Sequence, residues 1–151
     1  MFIPIGAEEL DAIEGGTDLS GREAHTVTPE LLEELGYGPE DTEDAEYAAM
    51  VLASVAALSR YGRRTVLVAD VPAEVVEAGP DAANGGCVVG VVPSSTITCW
   101  FSEAPDVDAA EAGAAARGLD IDLAWGLDPV QELLRHDLLW NDVVEYARRP
   151  L

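Results

Sequence analysis

The sequence predicts an α+β fold, a single mixed β-sheet packed with helices, one of them a largely buried central helix. Three observations carry it. Short apolar runs such as Val66-Leu67-Val68 stand apart from segments bearing helix start and stop signals. The stretch from Tyr47 to Leu58 is apolar around its whole circumference and must be covered on several sides. Ile97, Cys99 and Phe101 alternate with Thr96, Thr98 and Trp100, the period of a half-buried strand. At 151 residues, with no internal repeat, low-complexity tract or linker, residues 1–151 read as one globular domain. A domain of this size buries roughly two-thirds of its unfolded surface.

Phe2, Ile3 and Ile5 form an apolar run broken by Pro4, whose missing donor favours an edge or terminal strand. Ala7 to Glu14 reads as a helix with Leu10 and Ile13 on one side, closed by Gly15 and Gly16. Ala24 to Val27 is a second strand. Thr28 before Pro29 supplies a capping hydroxyl and a preset φ, starting a helix from Pro29 to Leu35 that Gly36 and Gly38 stop. Asp41 and Thr42 open the helix from Glu43 to about Arg60, whose acidic first turn complements the helix dipole. Its Ala48, Ala49, Ala53, Ala56 and Ala57 let neighbouring backbone approach closely. Core packing outweighs a subunit contact as the reason, and a homodimer through the Tyr47–Leu58 helix is the alternative.

Thr65 to Asp70 reads as a buried strand ended by Pro72, followed by a short segment around Val75 and Val76 and a Gly79 to Gly86 loop with an Asn84-Gly85 turn. Cys87 to Val92 and Thr96 to Ser102 read as a hairpin around Pro93, Ser94 and Ser95. Asp108 and Glu111 form an acidic capping box for a short alanine-rich helix ended by Gly118. Asp120 to Trp125 reads as a strand with Ile121, Leu123 and Trp125 on one face. Asp128, Pro129 and Gln131 start a final helix from Pro129 towards Arg148, burying Val130, Leu133, Leu134, Leu138, Val143, Val144 and Ala147.

Charge narrows the function classes. Eight basic residues, all Arg, face 29 acidic ones, for a formal net charge of −21 at pH 7. Such a field repels phosphates and anionic lipid, so neither direct nucleic-acid binding nor a membrane partner is expected. The arginine-only basic set, with abundant Ala, Gly, Val, Asp and Glu, reflects GC-rich codons and points to a GC-rich bacterium. No positive charge precedes Leu10, and Tyr47 to Leu58 is shorter than the ~20 residues of a bilayer span, so an unprocessed cytoplasmic protein is expected. Cys87 and Cys99 lack the spacing of a zinc knuckle or redox pair and read as two buried strand thiols, a cross-strand disulfide being conceivable only within the hairpin.

Three groups of residues are candidates for function. Glu30, Glu33, Glu34, Glu40, Asp41, Glu43, Asp44 and Glu46 place eight negative charges within 17 positions without a basic residue. They offer a surface to a basic partner, or a mimic of nucleic-acid phosphates, against the plainer reading of a solubilising face. His25, Asp70, His136 and Asp137 would form a hydrolytic or ligand pocket if the fold brought them together, Asp70 lying at the C-terminal end of a strand where α/β ligands bind. Adjacent helix positions diverge, so His136 and Asp137 do not pair by themselves. Asp120, Asp122 and Asp128 lack the register and glycine of a calcium loop and read as strand and cap residues. No phosphate loop, nucleophile elbow or His-Glu-x-x-His helix is present, and no catalytic residue, metal or cofactor is expected.

Phe2-Ile3-Pro4, His25 to Pro29, Glu46-Tyr47-Ala48-Ala49, Ala69-Asp70-Val71-Pro72 and His136-Asp137-Leu138-Leu139-Trp140 together resemble an uncharacterised family of small, acidic actinobacterial proteins of unknown function. The resemblance spans nearly the whole chain. It implies a bacterial, cytoplasmic, single-domain protein and transfers no catalytic residue. The sequence thus ranks three functions: a non-enzymatic acidic domain contacting a basic protein partner, an enzyme or small-ligand binder using a His/Asp pocket at the strand ends, and a nucleic-acid mimic.

Overall fold

The computed structural model describes residues 1–10, 19, 21–90, 92 and 94–142. Seven strands, β1 (Phe2–Pro4), β2 (Glu23–His25), β3 (Val66–Ala69), β4 (Val76–Ala78), β5 (Gly86–Val89), β6 (Ile97–Ser102) and β7 (Leu139–Asp142), form one sheet ordered β4-β5-β2-β1-β3-β6-β7. Five α-helices lie among the described residues: α1 (Pro29–Leu35), α2 (Thr42–Tyr61), α3 (Ala110–Ala116), α4 (Ile121–Trp125) and α5 (Asp128–Leu133). The fold is α+β.

The sheet is antiparallel at every pairing, where the sequence predicts a mixed one. The cause is the first strand. The chain does cross from β2 to β3 through α1 and α2, but β1 lies between those two strands and runs against both. β1 is therefore central and not the edge strand that Pro4 suggests. Pro4 costs the ladder little because it is the last residue of the strand, and on the β2 side the register pairs only Phe2 with His25.

Helix α2 is central as predicted. One side rests on β1, β2 and β3, and α3 and α4 cover another. Val55, Ala56 and Leu58 pack with Ala112, Ala116, Ile121, Ala124 and Val130 into one core, which is why no solvated stripe runs the length of the helix. Its first half is less enclosed, with Tyr47 59 % exposed. On the sheet's other face Ile3, Ala24, Leu67, Cys87, Val89 and Trp100 pack with Leu10 and Leu19.

Local signals hold where they are strongest. The Thr28 hydroxyl accepts the Leu31 amide at 3.0 Å, Pro29 begins α1, and Gly36 ends it with φ of 69°. Three other readings are overturned. Residues 87–92 and 96–102 do not form a hairpin, because β5 pairs with β2 and β4 while β6 pairs with β3 and β7. Each finds distant apolar partners, Ala24 opposite Cys87 and Leu67 opposite Trp100. Cys87 and Cys99 thus stand four strand steps apart, both as free thiols.

Asp120 to Trp125 is helical and not a strand: the Asp120 carboxylate accepts the Leu123 amide at 2.8 Å and caps α4, burying Ile121 and Ala124 three residues apart. The final helix ends at Leu133, and Leu139–Asp142 joins the sheet against β6. Of the helix read from Ala7 to Glu14, Ala7–Glu9 is a 3-10 turn and Leu10 is helical, while residues 11–14 lie outside the described residues. The readings for Ile13, Gly15, Gly16, Pro93, Val143, Val144, Ala147 and Arg148 lie outside the described residues.

Candidate functional site

Two features stand out on the surface built by these elements, an apolar groove and a small polar cavity. The groove runs along the open first half of α2. A hollow of about 660 Å³ is walled by Tyr47, Met50, Val51, Phe101, Leu134 and Leu138, and a neighbouring one of about 410 Å³ by Leu31, Leu35, Ala48, Val51 and Leu52. Tyr47 and Trp125 line both, with 59 and 40 % of their surface open to solvent. Trp125 stands there because α4 is a helix. Burying Ile121 and Ala124 turns Leu123 and Trp125 outward, whereas a strand would have put Trp125 on the same face as Ile121.

The acidic tract borders this groove. Glu30, Glu33 and Glu34 are exposed on α1, Glu40 and the half-exposed Asp41 lie on the intervening 3-10 turn, and Glu43, Asp44 and Glu46 are exposed in the first turns of α2. Glu34 and Asp122 line the smaller hollow and Asp137 the larger. Glu43 and Asp44 are one helical turn before Tyr47, on its side of α2. Arg64 also lines the larger hollow, but its guanidinium is committed to the buried carboxylate of Glu103.

The polar cavity, of about 390 Å³, lies where β2, the end of α2, the Pro80–Asp81 turn and the start of α4 meet. Its floor includes His25, which is 3 % exposed on β2. The His25 Nδ1 lies 2.9 Å from the Asn84 carbonyl oxygen. Burial pushes the imidazole pKa down, against a smaller upward pull from that carbonyl. Asp81, Asp120, Asp122 and Glu23 line the same cavity with Arg60, whose Nη2 lies 2.5 Å from Glu23 Oε2.

The loop that holds His25 is tightly specified. Asp81 has φ of 64°, the one non-glycine residue with positive φ among those described, and its carbonyl accepts the Asn84 and Gly86 amides at 2.9 Å each. Any Cβ at Gly86 would sit 2.0 Å from the Pro80 carbonyl oxygen, so only glycine closes this turn. The Asn84 side-chain amide donates to Asp81 Oδ1 at 2.9 Å and to Asp122 Oδ1 at 3.0 Å, joining the turn to α4.

The predicted four-residue pocket is not assembled in one place. His25 lines the polar cavity; His136 and Asp137, both exposed in the turn after α5, line the apolar groove; Asp70 is exposed at the end of β3. His25 instead gains Asp81 and Asp122. Asp120 and Asp122 reach that cavity while Asp128 is exposed at the start of α5. The sequence signals for Asp81 and Asn84 are those of a turn only; their meeting with His25 and Asp122 depends on contacts 38 and 59 positions apart. Trp125 is missed because alternation is read where the period is helical.

Among the described residues, no group of three His, Cys, Asp or Glu side chains is placed to hold a metal ion. No helix among them is long and apolar enough to cross a membrane. Comparison with curated proteins and with solved structures found no match for the chain. A family model does match, over residues 1–148, and by that match the chain belongs to DUF6912, a family of unknown function.

Proposed function

We propose that this chain is a non-enzymatic docking domain that receives a basic, amphipathic segment of a partner protein along the Tyr47–Trp125 groove. The observation that carries the reading is the pair of exposed aromatic side chains standing over two adjoining apolar hollows. Aromatic anchors of this kind supply most of the binding energy in protein interfaces, and contiguous apolar surface on a soluble domain marks a contact site. Charge selects the occupant. Glu34, Asp122 and Asp137 line the groove, Glu43 and Asp44 stand one helical turn before Tyr47, and among the described residues the only arginine lining it is paired with Glu103. A basic segment is attracted along the whole rim, whereas a second copy of the chain would bring another net charge of −21 against it, which disfavours the homodimer. The composition supports a cytoplasmic, bacterial setting.

Two synthetic amphipathic peptides with the same leucine face, one carrying lysine and the other glutamate, test this by calorimetric titration. The lysine peptide should bind, more weakly as salt rises, and Tyr47→Ala with Trp125→Ala should weaken it about tenfold or more. Binding that ignores the two aromatics would reflect the overall field alone and sink the reading.

A further inference from the structure

β7 closes one side of the sheet, and among the described residues no strand pairs with its outer edge. Which of its main-chain groups point there follows from the hydrogen bonds further in. The Ile5 amide donates to the Thr65 carbonyl and the Ala69 amide to the Met1 carbonyl, at 3.1 and 3.0 Å. Main-chain groups of successive residues alternate between the two edges of a strand. Thr65, Leu67 and Ala69 therefore bond towards β1, and Val66 and Val68 towards β6. Their partners Phe101 and Cys99 face β3, which leaves Trp100 and Ser102 to bond Asn141 and Leu139. Trp140, between those two, turns its N–H and C=O outward.

Its side chain is open as well. Trp140 stands opposite Phe101, so its indole lies on the α2 face of the sheet, beside a side chain that walls the larger hollow. It is 59 % exposed, and Leu139, on the other face, is 44 % exposed. Native sheets blunt their edges with short strands, charge or proline. The opposite edge, β4, follows that rule, with three residues and the exposed Glu77 at the centre. β7 has neither lysine nor proline, and its one charged residue, Asp142, is its last.

We infer that the basic segment taken up by this domain is held as an extended strand, added antiparallel to β7 with its main chain on Trp140 and its apolar side chains beside the indole. The inference rests on the docking reading above and adds the conformation of the occupant. Only an extended chain can offer the Trp140 amide and carbonyl a matching acceptor and donor while continuing the apolar surface of the groove past Phe101. Asp137, just before β7, and the net charge of −21 favour a basic chain here as they do in the groove. Antiparallel addition continues the pattern of every pairing in the sheet. It also fixes the frame: the residue opposite Trp140 exchanges both main-chain bonds with it and shares its face, so the apolar residues of the segment carry the bonding amides.

A short peptide alternating leucine and lysine tests this in three forms: unmodified, N-methylated at every leucine, and N-methylated at every lysine. Calorimetric titration should find the leucine-methylated form at least about tenfold weaker than the lysine-methylated one, because only the leucine amides face Trp140. With the unmodified peptide bound, the Trp140 amide of ¹⁵N-labelled protein should exchange with solvent at least about tenfold more slowly, while the Leu139 and Asn141 amides, already bonded to β6, change less. Equal losses from the two methylated forms, a greater loss from the lysine form, or unchanged exchange at Trp140 would overturn the added strand. Tyr47→Ala with Trp125→Ala separates this from the groove. If those substitutions weaken binding while the methylated forms behave alike, the groove stands and the strand falls. A difference between the forms that survives the substitutions would support the strand and remove the groove.

Discussion

Arg64 closes a fork on Glu103. Its Nη2 and Nε lie 2.6 and 2.9 Å from one carboxylate oxygen, and the two side chains are 4 and 9 % exposed. The same Nη2 donates to the His136 carbonyl at 3.0 Å. One guanidinium next to β3 therefore holds both the segment after β6 and the turn after α5, which carries His136 and Asp137 into the wall of the groove. It also gives a physical reason why the chain leaves its helix before β7.

A buried pair of this kind is destabilising to break, because the remaining charge is left in the interior without compensation. Glu103→Gln should lower the unfolding free energy by about 3–5 kcal/mol. Arg64→Met combined with Glu103→Leu should cost less than that single change. Urea denaturation of the three proteins checks both statements, and a loss below about 1 kcal/mol in Glu103→Gln would contradict the burial argument.

Gly113 should resist a substitution that usually strengthens a helix. Alanine in place of glycine within a helix ordinarily gains up to about 1 kcal/mol. Here the new Cβ would lie 2.5 Å from the Gly62 carbonyl oxygen and 3.1 Å from its Cα, which are backbone atoms and cannot swing aside. Gly113→Ala should therefore destabilise by about 1–3 kcal/mol as α2 and α3 are forced apart. A raised melting temperature would show that the two helices do not approach this closely.

His25 should contribute a distinct dependence of stability on pH. Burial lowers its pKa and Arg60 adds to that, while the Asn84 carbonyl, Asp81 and Glu23 oppose it. The unfolded chain therefore binds the proton first as pH falls. The stability due to the neutral ring is complete above about pH 6.5 and is lost as pH drops through the lowered folded value. The difference in unfolding free energy between wild type and His25→Gln should shrink as pH falls below about 6.5. A difference that grows instead would mean that the fold stabilises the imidazolium.

The two thiols should remain separate. Four strand steps at about 4.8 Å put Cys87 and Cys99 roughly 19 Å apart, well beyond the reach of a disulfide. Thiol titration should find two free groups even after mild oxidation. Cys99 should react first, because Cys87 is 2 % exposed and burial raises its pKa. Loss of both thiols with a lower intramolecular mass would refute the strand order.

The acidic tract and the buried run of α2 are legible in the sequence because both are properties of contiguous residues. So is the α1 start, where Thr28 and Pro29 act within one turn. His25 is legible as a candidate but its company is not. Asp70 and His136 are suggested by strand ends and by chemistry, while Asp81, Asn84 and Asp122 are chosen by a turn and a helix cap that meet only in three dimensions. The strand read at Asp120–Trp125 shows the limit of periodicity in short segments: six residues satisfy an alternating pattern and a helical one together, and the capping bond of Asp120 decides between them.

From the sequence alone come the α+β class, the enclosed helix and the dominance of negative charge, since each follows from which residues stand side by side or from their number. Strand order, the central place of β1, the groove beneath Tyr47 and Trp125 and the cavity around His25 come from the tertiary structure. They rest on pairings between distant segments, such as Leu67 with Trp100 and Arg64 with Glu103, whose free energy depends on burial and shape that no local pattern encodes.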